Sequence, residues 1–159
     1  MPVRKKSWRE KLANDNGLPR VFEMDQAMSK RWGGGTCVIP SPREVDELMR
    51  RVGKGRVTTI DQLRDALARR HGATMACPMT TGIFAWIAAH AAAEAQAAKE
   101  KNTTPFWRTL KSRGELNPKY PGGIGALKQK LRAEGHTVKQ KGKHFFVEDF
   151  DARLAVLGD

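Results

Sequence analysis

Two cysteines and four histidines carry the most obvious reactive chemistry in this chain. Cys77 precedes Pro78 just ahead of a helix start, where the positive end of the helix stabilises a thiolate. That placement suits a nucleophile or alkyl acceptor. No His or Glu stands beside Cys77 in sequence, although His71 is near enough to fold back. A buried, inert thiol is the commoner fate of such a residue. Cys37, Cys77, His71 and His90 contain no ligand pair at metal spacing, and no CxxC occurs. The expectation is therefore no metal, no cofactor and no catalytic residue.

Charge is the stronger signal. The chain has 29 Lys+Arg against 17 Asp+Glu, a net charge of +12 over 159 residues. Most of the excess lies between Lys99 and Lys143, where Glu100, Glu115 and Glu134 are the only acids. Such a run points to nucleic acid, although a purely solvating basic face has the same composition. Candidate contacts follow from residue type. Phe106 and Trp107 offer aromatic faces for an unstacked base, or for the core. Phe84 is a candidate wedge between base steps. Thr58, Thr59, Thr80 and Thr81 stand at helix starts, where hydroxyls and N–H groups meet phosphates or simply cap the helix. Lys119 with Gly122 and Gly123 makes a loop that approaches a phosphate closely. Lys141 and Lys143 flank Gly142 at a hairpin tip.

The elements that must hold these residues are legible in outline. Residues 1–40 read as an N-terminal arm, with a short helix over Val21–Trp32, a flexible joint at Gly33–Gly35 and a short extended segment over Thr36–Pro40. Ser41-Pro42-Arg43-Glu44 starts a helix with Val45, Leu48, Met49 and Val52 inward. Thr59 with Gln62 starts a second, ending at His71-Gly72. A third, from Thr80 or Thr81 to about Glu100, carries an alanine tract. Phe106–Leu110 reads as a β-strand, and Ile124–Glu134 as a basic helix. Thr137–Val138 and His144–Val147 form a hairpin, and Asp149–Leu157 a last short helix. The fold expected is mainly α with a small β-hairpin, a winged helix-turn-helix-like DNA-binding domain over 41–148, with a tail at 149–159. No apolar run approaches membrane length, and the basic start lacks the apolar core of a secretory signal, so a cytoplasmic, nucleoid-associated protein is expected.

One stretch resembles a known pattern. Thr104-Pro105-Phe106-Trp107-Arg108-Thr109-Leu110, then Gly114-Glu115-Leu116, Gly122-Gly123 and Leu131-Arg132-Ala133-Glu134-Gly135, is similar to the active-site region of O6-alkylguanine-DNA alkyltransferases and the alkyltransferase-like proteins. In that family Pro-Cys-His-Arg precedes two hydrophobic residues, a Gly-containing turn, a Gly-Gly loop and a helix ending in Glu-Gly. The resemblance runs from Pro42 to His136. Pro105 and Arg108 match the motif, but Phe106 stands where the family has its reactive cysteine and Trp107 where it has the activating histidine. The family's DNA-facing tyrosine falls near Ile60, and the arginine that replaces the flipped nucleotide near Phe84. The resemblance implies a monomer that binds duplex DNA and recognises damaged or alkylated bases in repair without accepting the alkyl group, with a protein partner left open. Arg108 is, with Phe106 and Trp107, a candidate DNA contact, and the resemblance also implies that this arginine holds the active-site loop. Two alternatives stay open: an alkyl acceptor using Cys77, and a basic module that binds RNA or protein.

Overall fold

A computed structural model describes residues 5–158. It is helix-rich with three small sheets. Before Pro40 the chain forms helix α1 (Trp8–Ala13), strand β1 (Arg20–Glu23), helix α2 (Gln26–Trp32) and strand β2 (Thr36–Ile39). Ser7 and Glu10 cap α1 reciprocally, and Asp25 caps α2.

This segment is not a loose arm. Strand β2 is the centre of a three-stranded sheet, antiparallel to β1 and parallel to β4 (Met75–Ala76). Cys37 and Val38 on β2 are fully buried. The helix expected over Val21–Trp32 is divided, because Val21 and Phe22 pair with β2 and Asp25 starts a new helix. The glycine run is likewise a fixed bend. Gly35 has a φ of +93°, and a side chain there would collide with Thr74, whose hydroxyl accepts from the Thr36 N–H at 3.0 Å.

Helices α3 (Pro42–Arg50), α4 (Ile60–His71) and α5 (Pro78–Ala97) follow in the order expected. Ser41 and Glu44 form a capping box on α3, and Thr59 caps α4 through the Gln62 N–H. Helix α5 is mostly apolar, with His90, Glu94 and Gln96 toward its end. Its Ala85, Ala88, Ala89 and Ala92 recur at helical spacing and are buried, and α5 packs on α1 and α3. Small side chains let the helix backbones approach closely.

The segment Phe106–Leu110 is not one strand. Phe106–Arg108 is a 3-10 turn closed by the Arg108 N–H on the Pro105 carbonyl at 3.1 Å. Only β5 (Thr109–Leu110) is extended, parallel to β3 (Thr58–Thr59). Helix α6 (Gly123–Ala133) then leads to the hairpin of β6 (Val138–Lys141) and β7 (His144–Val147). The tail makes a 3-10 turn, Phe150–Arg153, in place of a helix, and Ala155 and Leu157 join the core. Among the described residues no helix is long and apolar enough to cross a membrane.

Candidate nucleic-acid interface

Exposed apolar surface on α5 and several cations line one groove of about 710 Å³. Its apolar wall is a stripe of α5: Met79, Gly82, Ile83 and Trp86. These stand at i, i+3, i+4 and i+7, one face of a helix. The alanines take the opposite, buried face, which leaves this stripe outward. Met79 is 72% exposed and Ile83 45%, high values for large apolar groups. Ile60 closes the floor and Lys111, Ser112, Arg113, Glu115, Asn117 and Lys119 form the other wall.

Local folding explains why these distant residues meet. The β3–β5 register places Thr59 opposite Leu110. The next residues along, Ile60 and Lys111, therefore reach the groove side by side. Arg113 has a φ of +70°, rare for a residue with a side chain, and Gly114 beside it (φ +81°) is pressed against Phe150. Strain of this kind, roughly 1–2 kcal/mol, is concentrated where a site demands a fixed backbone. The loop at Asn117–Lys119 is tied to α5, since the Lys119 carbonyl accepts from Trp86 Nε1 and His90 Nε2, both at 3.2 Å. The hairpin joins the same wall. Glu115 bonds His144 Nδ1 at 2.6 Å and pairs Lys111 at 3.8 Å, while the Leu116 N–H meets the Phe145 carbonyl. Lys143, adjacent to His144, is exposed, as is Lys141.

Several residues expected at the interface are elsewhere. Thr58, Thr59 and Thr81 are buried. Their hydroxyls bond Gln62 Oε1 (2.9 Å), the Gln62 N–H (3.2 Å) and the Cys77 carbonyl (2.7 Å), so they cap and back-bond. The Thr80 hydroxyl is covered as well. Phe84 packs on the core, and Ile83, one residue earlier, takes the groove position. Phe106 is buried, edge-on to Trp107 and Tyr120 at 5.5 and 6.3 Å. Trp107 is half-buried, with Lys130 and Arg108 over its ring at 4.5 and 5.3 Å. Gly122 caps α6 with a φ of +85° and is exposed, but neither it nor Gly123 lines the groove. Lys119, Lys141 and Lys143 are exposed, as a contact requires.

Arg108, expected at the interface, belongs instead to the scaffold. It grips Glu134 with Nε to Oε1 at 2.9 Å and Nη2 to Oε2 at 2.6 Å, and donates Nη1 to the Val52 carbonyl at 2.7 Å. Burial opposes the Glu134 charge, but the Arg108 hydrogen bonds and charge outweigh it and hold the carboxyl below its ordinary range. This bidentate pair ties the 3-10 turn to the end of α6.

The two thiols lie outside the groove lining. Cys77 caps α5 without a side-chain bond and does not line the groove. Cys37 is fully buried, and burial followed by the neighbouring Cys77 pushes its thiol up. Among the described residues no group of His, Cys, Asp and Glu is arranged to hold a metal.

Comparison with known proteins adds one likeness. No family model matches this chain, and no curated protein matches it. A solved structure is similar. It is the crystal structure of S. pombe Atl1 in complex with damaged DNA containing O6-carboxymethylguanine, at 18% identity. The match covers 72% of this chain and 94% of that chain, with a TM-score of 0.48.

Proposed function

We propose that this protein binds duplex DNA and receives a damaged or alkylated base in the α5 groove without transferring any group. One observation carries the reading: an exposed apolar stripe, Met79–Ile83–Trp86, faces a wall bearing Lys111, Arg113 and Lys119. An aromatic base extruded from a duplex needs an apolar face, and the phosphates beside it need cations. A groove with one of each suits that ligand. The winged-helix reading fits the same picture, with α5 as the helix that approaches DNA and the β6–β7 tip touching the backbone. The sequence resemblance supports the absence of transfer. Phe106 and Trp107 replace the cysteine and histidine that such chemistry needs, and Phe106 is sealed in the core.

Fluorescence anisotropy at low salt tests this, using an undamaged duplex, an O6-alkylguanine duplex and a structured RNA competitor. Both duplexes are expected to bind, the alkylated one more tightly, and RNA is expected to compete poorly. Failure to bind either duplex overturns the reading. Stronger binding of RNA than of either duplex replaces it with an RNA-binding one.

A further inference from the structure

One end of the groove is buttressed by α1. Trp8 meets Trp86 edge-on at 4.7 Å and stacks on His90 at 4.5 Å. Glu94 accepts the backbone N–H of Trp8 at 3.1 Å and of Arg9 at 3.2 Å. The chain entering α1 is thus pinned at Glu94, two turns beyond Trp86 on α5, while the Trp8 ring reaches Trp86 and His90, which hold the Lys119 carbonyl. Lys5 and Lys6 lie within three residues of Trp8, roughly 10 Å of extended chain, and both are exposed.

The cations nearby divide into two kinds. Arg9 pairs with Glu94 at 3.4 Å and Glu100 at 2.9 Å, and Lys11 sits over the Trp8 ring at 4.3 Å. Farther along, Lys128 covers Phe145, Lys130 covers Trp107, and Lys139 pairs with Glu148. These charges serve the fold. Lys5 and Lys6 have no ion pair or ring contact among the described residues. They are uncommitted charge at the start of the helix that buttresses the Trp86 end of a basic-rimmed groove.

We propose that the Lys5–Lys6 segment is part of the DNA interface, carrying phosphate contacts past Lys119 beyond the Trp86 end of the groove. This rests on the duplex-DNA reading above. The segment resembles the basic arms by which compact DNA-binding domains extend their hold on a duplex, and α1 is the anchor that fixes where the segment starts.

The measurement is the salt dependence of binding to a labelled duplex between about 50 and 200 mM NaCl. The K5A/K6A double variant is expected to make the slope of log K against log[salt] shallower by roughly 1 to 2, one step per lost phosphate contact. Thermal stability stays at the wild-type value, because neither side chain packs. Lys30→Ala, an exposed lysine on α2, is expected to leave the slope unchanged. If wild type binds, Lys119→Ala flattens the slope and K5A/K6A does not, this proposal is overturned and the DNA reading stands. If wild type fails to bind, the DNA reading falls and this one with it.

Discussion

Ile83 and Phe84 are neighbours on α5 with opposite surroundings. Ile83 is 45% exposed in the groove, whereas Phe84 packs on the core. Ile83→Asp should therefore leave stability within about 0.5 kcal/mol, as surface changes do. The same carboxylate faces incoming phosphates and removes an apolar contact to a base, so duplex affinity should fall at least tenfold. Denaturant titration and anisotropy on one variant separate the two effects; a large stability loss with intact binding would contradict this division. A second residue-scale consequence concerns Glu134. Its folded carboxyl titrates below its ordinary value of 4.5, so its contribution to stability is complete above about pH 4.5 and is lost as pH falls through the depressed value. Glu134→Gln should cost about 2 kcal/mol near neutrality. The gap between wild type and variant should close on acidification below pH 4.5. Urea midpoints measured from pH 3 to 7 would show that closure, and a gap independent of pH would remove the charged pair from the account.

At the scale of elements, α1 is short but packs along α5, with the Trp8–Trp86–His90 cluster and Glu94 fixing its start. Trp8→Ala should cost about 2 kcal/mol, from lost area and edge and stacking terms. Amide exchange should quicken over residues 8–13 and over the Asn117–Lys119 loop, but not in β6 and β7. Equal exchange everywhere would mean that α1 does not brace the groove. This coupling explains what the sequence could and could not reveal. Ser41–Glu44 and Thr59–Gln62 announced two helices because capping is local chemistry. Arg108 read as a candidate DNA contact as well as a loop-holding residue, and only its bonds to Glu134 and Val52 assign it to the scaffold. Thr36–Ile39 read as extended, but its partners β1 and β4 were hidden, since they are only four and two residues long and pair over long separations. The groove was hidden for a related reason. Ile60 and Lys111 meet only through the two-residue β3–β5 pairing. One clue was available: once the alanines of α5 are assigned to the buried face, Met79, Ile83 and Trp86 must share another face, and Phe84 cannot join them.

For the whole molecule, the net charge of +12 matters less than its division into committed and uncommitted cations. Lysines over aromatic rings or paired with glutamates contribute little to a ligand. Of the exposed ones, Lys119 lines the groove, Lys141 and Lys143 lie at the tip of the hairpin attached to it, and Lys5 and Lys6 precede α1. About five phosphate contacts give a salt slope near −4.5, and hence roughly a 500-fold loss of affinity between 50 and 200 mM salt. No covalent link should oppose that release. Phe106 cannot accept an alkyl group, Cys37 is sealed in the sheet, and Cys77 lies outside the groove lining. Overnight incubation with an equimolar O6-alkylguanine duplex should therefore leave the intact protein mass unchanged. Raising the salt should return the duplex with its lesion still present. A mass increase equal to the alkyl group, lost in a Cys77→Ser variant, would make the protein an acceptor and overturn the reading of a reversible, charge-held complex.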